Sequence, residues 1–157
     1  MNHINPKAGW NSHRHFLYEP LLEDQPDLSK EIGKVQDYVP NKLQKYQEAK
    51  SYETLQNQAE AVKIYNELAI EGYAPAQFDL GICYAFGRGI KKSKSQATFW
   101  FQKAADQKHP GGLYNLAICY KDGWGVKKSN TIATELLTMA AKQGDPDAQT
   151  ILNTIHS

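Results

Sequence analysis

The side chains in this sequence that could act chemically are few, and their spacing decides what they could do. His3, His13 and His15 sit near one another at the start of the chain. Imidazoles two residues apart can share a metal ion, but these three lie in an irregular stretch that lacks the further ligands of a tetrahedral set. They read as solvated or packed histidines, and no metal site is expected. His109 precedes Pro110 and His156 lies at the chain end, so both read as surface residues. Cys83 and Cys119 have no histidine companion to draw off a proton, which a nucleophilic thiol requires. Ser93 and Ser129 stand where helices begin, as caps rather than as nucleophiles. Gly87-Arg88-Gly89 lacks the third glycine and the preceding strand of a phosphate-binding loop. Nothing assembles a triad, so no catalytic residue and no cofactor are expected.

The chain has 157 residues, 41% hydrophobic and 22% charged, with 18 Lys+Arg against 17 Asp+Glu. That is room for one domain with a core. A net charge of +1 argues against a dedicated nucleic-acid binder, whose footprint is a strong basic excess. No apolar run is long enough to span a bilayer, and the first thirty residues lack the apolar stretch of a signal peptide. Two cysteines do not make a disulfide framework. A monomeric, cytoplasmic protein that binds neither membrane nor nucleic acid is expected.

The elements that must position any site follow from a comparison of the chain with itself. Residues 76–111 and 112–147 align without a gap and are identical at 15 of 36 positions. Leu80 matches Leu116, Cys83 matches Cys119, Gly87 and Gly89 match Gly123 and Gly125, and Lys-Lys-Ser at 91–93 recurs at 127–129. Ala104-Ala105 recurs as Ala140-Ala141. Ala61, Tyr65 and Ala69 carry the register backward, and Ala148 and Leu152 carry it forward. A period of 36 residues holds two helices and two turns, the hairpin unit of an α-solenoid. Ala76, Leu80, Cys83 and Tyr84 share one helical face. Gly87-Arg88-Gly89 ends that helix, and Ser93 with Gln96 has capping-box spacing for the next. The second helix carries Ala97, Trp100, Phe101, Ala104 and Ala105 and stops at Lys108-His109-Pro110. Alanines let helices approach, and the aromatic residues fill the core between hairpins.

The fold expected is all-α, a right-handed α/α superhelical solenoid. Its parts are an irregular arm over 1–30, a capping hairpin over 31–71 with helices near 33–55 and 57–71, full repeats at 76–111 and 112–147, and a closing helix at 148–157.

The pattern Ala-x3-Leu-Gly-x2-Tyr-x2-Gly-x-Gly-Ile/Val-x7-Ala-x6-Ala-Ala resembles the Sel-one-like repeat, a relative of the tetratricopeptide repeat. Ala76, Leu80, Gly81, Tyr84, Gly87, Gly89, Ala97, Trp100, Ala104 and Ala105 supply one copy, and residues 112–141 supply a second, less faithful one. The resemblance implies a non-enzymatic module that binds a partner protein as an adaptor or scaffold. An immunity protein that neutralises a cognate toxin or effector is the alternative. Hydrolase claims attach to cysteine-rich members of the family, but paired cysteines and a nucleophile–base arrangement are missing here. The family's aspartate at the start of the second helix is Ser93 and Ser129 in this chain, which removes a negative charge from each turn. Lys108 replaces the glycine that closes the second helix, which leaves that turn to Pro110-Gly111. Cys83 and Cys119 occupy the same place in successive copies. Stacked helices lie about 10 Å apart, beyond the Cα separation of about 7 Å that a disulfide tolerates, so both are expected to be reduced core residues.

Two surfaces could hold a partner. By analogy with tetratricopeptide packing, the concave face is expected to present Phe78, Asp79, Ile82 and Ala85 in one repeat and Tyr114, Asn115, Ile118 and Lys121 in the next. The second surface is electrostatic. Residues 76–157 carry 10 Lys+Arg against 6 Asp+Glu, whereas residues 1–75 carry 8 against 11. Arg88, Lys91, Lys92, Lys94, Lys127 and Lys128 fall on repeated turns and would form a basic ridge beside Trp124, suited to an acidic partner surface.

Overall fold

The computed structural model describes residues 41–157, which form seven helices and no strand. They are α1 (Lys42–Thr54), α2 (Gln58–Ile70), α3 (Ala74–Phe86), α4 (Lys94–Asp106), α5 (Pro110–Asp122), α6 (Asn130–Lys142) and α7 (Pro146–His156). Each helix packs chiefly on those before and after it in the chain, the nearest-neighbour arrangement of a solenoid. The arm over 1–30, its histidines included, lies outside the described residues.

Chemistry at the helix ends explains the regular lengths. Asn41 opens α1 with a reciprocal capping box to Gln44. Ser93 and Ser129 each accept a hydrogen bond at 3.3 Å, from the backbone N–H of Gln96 and of Ile132 respectively. Asp145 accepts from the N–H groups of Asp147 and Ala148, both at 3.0 Å. His109 is half-buried rather than a plain surface residue. Its Nδ1 accepts from Gly112 N–H at 3.2 Å, and its ring stacks on Phe78 at 5.0 Å. Pro110 and Pro146 stand in the first turns of α5 and α7. The prolines therefore open the next helix, where a missing N–H costs nothing, rather than close the previous one.

The apolar residues divide into two clusters. Tyr46, Ala49, Tyr65, Leu68, Leu80 and Cys83 join α1–α3, while Phe78, Phe101, Leu113, Leu116, Leu137 and Leu152 continue through α3–α7. Small residues set the spacing both within a hairpin and between successive hairpins. A Cβ on Gly81 would lie 2.6 Å from the Phe101 ring, and one on Gly112 would lie 2.8 Å from both Ala104 Cβ and Ala105 N.

The turns between repeats are tied by matching glutamines. Gln107 Nε2 donates to Gly72 O and Gln143 Nε2 donates to Lys108 O, both at 2.9 Å. Gly72, Lys108 and Gly144 occupy equivalent places with φ of 84°, 59° and 89°. The turn thus does not shift its burden to Pro110-Gly111; Lys108 itself adopts the left-handed conformation. That conformation costs a residue with a Cβ about 1–2 kcal/mol, partly offset by the extra chain entropy that glycine would lose on folding. Lys108→Gly is expected to raise stability by about 0.5–1 kcal/mol, read as a higher urea midpoint at unchanged slope.

Candidate partner-binding surface

The side chains expected on the concave face are enclosed. Phe78 and Asn115 are 0% exposed, Ile82, Asp79 and Ile118 are 4%, and Tyr114 is 5%; Ala85 is buried with them. The reason lies in the surroundings of α3 and α5, which are apolar around most of their circumference and so bury nearly all of it. The Phe78 ring packs against Phe101 at 6.1 Å and lies over Gly111, where a Cβ would come within 2.8 Å of it. These residues are core, and they do not form an exposed groove among the described residues. Lys121 is half-buried and pairs with the adjacent Asp122 at 3.2 Å.

Asp79 belongs to a polar network that its sequence neighbours do not reveal. Tyr46 Oη of α1 donates to Asp79 Oδ2 at 2.6 Å, and Lys50 Nζ stands 3.4 Å from the same oxygen and 3.0 Å from Glu53. Burial pushes the Asp79 carboxyl above its ordinary value of 3.8, against the opposing pull of Lys50 and the Tyr46 hydrogen bond. One period on, the place of Asp79 is taken by Asn115; α1 is offset by 32 residues from α3, so the places of Tyr46 and Lys50 are taken by Phe78 and Ile82. Neither can donate a hydrogen bond, and both amide atoms of Asn115 are buried without a partner. A neutral amide survives there; an uncompensated carboxylate would not.

Asp79 gives a pH prediction. A carboxyl whose folded pKa is raised contributes stability below its unfolded pKa and loses that contribution as pH rises through the folded value. The wild-type chain should therefore lose stability relative to Asp79→Asn as pH rises from about 4, measured as the difference in melting temperature across a pH series.

Cys83 and Cys119 are free and buried, as the core reading requires. Burial, the leading cause for each, pushes both thiols up to about 12, well away from a reactive thiolate. Among the described residues, no group of three His, Cys, Asp or Glu side chains could share a metal ion. No described helix is long and apolar enough to cross a membrane.

The basic ridge has a physical basis in how the turns stack. Gly89 and Gly125 adopt left-handed φ of 69° and 71°. A Cβ on Gly89 would strike the Gln58 carbonyl, and one on Gly125 would lie 2.7 Å from the Lys94 carbonyl. Each glycine therefore seats its turn on the first residue of the preceding second helix, 31 positions earlier in both cases. The 123–129 turn rests against the end of the 87–93 turn, and Lys94 Nζ lies 5.8 Å from the centre of the Trp124 ring.

Along this continuous edge Lys91, Lys92, Lys94, Lys127 and Lys128 are exposed, and Arg88 is half-buried over the Phe86 ring at 5.0 Å. None of the six forms an ion pair among the described residues, whereas Lys42, Lys45, Lys50, Lys63 and Lys121 all do. Trp124 is only 8% exposed, because it is part of the second apolar cluster; Lys94 Nζ lies over its ring. It supports the ridge and is not available as a protruding anchor.

An α-solenoid of helical hairpins with a cationic turn edge defines the class of protein. Comparison with known proteins then gives the family. Sel1 repeat models match residues 74–109 and 110–145. A solved Sel1 repeat protein from Oxalobacter formigenes is 30% identical, with a TM-score of 0.69 over 73% of this chain and 89% of its own. The chain belongs to the Sel1 repeat family. A protective antigen of uropathogenic Escherichia coli that displays an SLR fold is also 30% identical, with a TM-score of 0.65 over 68% of this chain and 24% of its own. Cysteine rich protein B of Helicobacter pylori is 24% identical over 59% of this chain and 70% of its own, with a TM-score of 0.57, a likeness of fold alone. No curated protein matches the chain.

Proposed function

We propose that this chain is a non-enzymatic protein-interaction module, an adaptor that holds an acidic partner protein against the basic turn edge of its solenoid. One observation carries the reading. Lys91 and Lys92 and their copies Lys127 and Lys128 are exposed and lack carboxylate partners among the described residues, on turns that stack directly on one another. Unpaired cations held at fixed spacing on a rigid edge attract and orient an acidic surface, raising the encounter rate and fixing register. The enclosed concave-face residues act indirectly, by making the edge stiff. The same edge suits an immunity protein that blocks a toxin, and the identity of the partner separates the two roles.

The test is capture from cells of the source organism with the wild-type chain and with Lys91→Glu/Lys92→Glu/Lys127→Glu/Lys128→Glu. The wild type is expected to retain an acidic protein that the reversed variant loses. The variant's melting curve should change little, since each exposed substitution is worth within about 0.5 kcal/mol. Equal recovery by both chains would remove the ridge from the function.

A further inference from the structure

We propose that the basic edge also has an occupant within the chain: the acidic segment 19–31 docks on Lys91, Lys92, Lys127 and Lys128 and must be displaced by an acidic partner. The proposal rests on the reading of this edge as an acid-binding surface and adds its intramolecular ligand.

Three observations support it. The first is that nearby carboxylates are already committed: Glu53 to Lys50 at 3.0 Å, Glu60 to Lys63 at 2.6 Å and Asp122 to Lys121 at 3.2 Å. The ridge lysines therefore lack a counterion among the described residues. The second is composition. The segment Glu-Pro-Leu-Leu-Glu-Asp-Gln-Pro-Asp-Leu-Ser-Lys-Glu places Glu19, Glu23, Asp24, Asp27 and Glu31 against the single cation Lys30, and no stretch of that length in 41–157 holds as many acids. Its Leu21, Leu22 and Leu28 have apolar counterparts beside the lysines, where Phe86, Ile90 and Val126 are half-buried.

The third is reach. The described chain begins at Asn41, the cap of α1, and α1 ends beside the turn that leads to Gln58, the residue against which Gly89 is seated. Thirteen helical residues cover about 20 Å, and one repeat across adds about 10 Å. The ten residues from Glu31 to Asn41 span up to about 33 Å when extended. The tether spans this distance when nearly extended, and docking is then intramolecular, so it competes with a free partner without a second loss of translational freedom.

Zero-length carbodiimide cross-linking of the full chain tests this directly. An equimolar mixture of unlabelled and isotope-labelled chains separates links within a chain from links between chains. Lys50–Glu53, already at 3.0 Å, is the internal control. The expected result is intrachain links from residues 19–31 to Lys91, Lys92, Lys127 or Lys128, suppressed in about 1 M salt, where the screening length falls to roughly 3 Å. Links only between chains, or none while Lys50–Glu53 reacts, would overturn the proposal.

A second arm measures a fluorescent oligoglutamate peptide on the wild type, on Glu19→Gln/Glu23→Gln/Asp24→Asn/Asp27→Asn/Glu31→Gln, and on the four-lysine reversal. The amide variant should bind about tenfold tighter than wild type, and the reversal should not bind. Equal binding by wild type and amide variant overturns the intramolecular occupant and leaves the acid-binding edge standing. Binding by none of the three overturns the edge as well.

Discussion

Phe78→Ala is expected to destabilise the protein by about 3–5 kcal/mol, read as a large fall in urea midpoint and melting temperature. The side chain is fully buried, stacks on His109 at 5.0 Å, tilts against Phe101 at 6.1 Å and covers Gly111. It joins α3, α4 and the start of α5, so its loss opens a cavity at the junction of two repeats. Tyr114→Ala should act in the same direction from the equivalent place one period later. An intact melting curve combined with lost partner binding would instead place Phe78 on an interaction surface, and would contradict the enclosed core described above.

The second large effect belongs to the stacking glycines. Gly89→Ala and Gly125→Ala should each cost about 3–4 kcal/mol, the sum of a left-handed residue gaining a Cβ, about 1–2 kcal/mol, and overpacking against a backbone that cannot yield, about 1–3 kcal/mol. The struck atoms are the carbonyl groups of Gln58 and Lys94, which belong to helix backbones. Gly144→Ala isolates the conformational part, because its φ is 89° and no atom lies within 4 Å of the added Cβ. Its cost should stay near 1–2 kcal/mol. Chemical denaturation of the three variants checks this directly. Equal losses at Gly125 and Gly144 would mean that the turn does not rest on Lys94.

Much of the architecture is legible in the sequence because one unit is written more than once. Period, turn glycines, serine caps and alanine stripes all describe local geometry, and local geometry survives into the fold. The basic edge is legible for the same reason. Its lysines sit on turns, turns of equal repeats stack, and exposed lysines need nothing further to stay in water.

The burial of the concave-face residues is not legible in the sequence, because it depends on which side of α3 and α5 meets a neighbour. Both helices are apolar around most of their circumference, so the hydrophobic pattern does not single out a solvent side. Trp124 misled in another way. An aromatic residue between two turn glycines reads as exposed, but the indole joins the buried core cluster, with the ammonium of Lys94 from the preceding turn 5.8 Å from its ring centre. His109 has the signature of a helix start, a polar residue directly before Pro110; only its stacking on Phe78 required the tertiary structure. The network of Asp79, Tyr46 and Lys50 joins residues 29 and 33 positions apart, and no repeat copy announces it. Part of the signal is in the sequence: Asp79 becomes a neutral asparagine one period on. That its two partners become Phe78 and Ile82 there follows only from the helix bounds, because α1 is offset from α3 by 32 residues.

The central claim is that the turn edge recruits its partner electrostatically. The most direct measurement is the association rate of the captured partner across a series of salt concentrations, for the wild type and for the four-lysine reversal. The account predicts a wild-type rate that falls steeply with salt, a reversed variant slower by about tenfold or more at low salt, and convergence of the two at high salt. Superimposable rates for the two proteins at every salt concentration would contradict it.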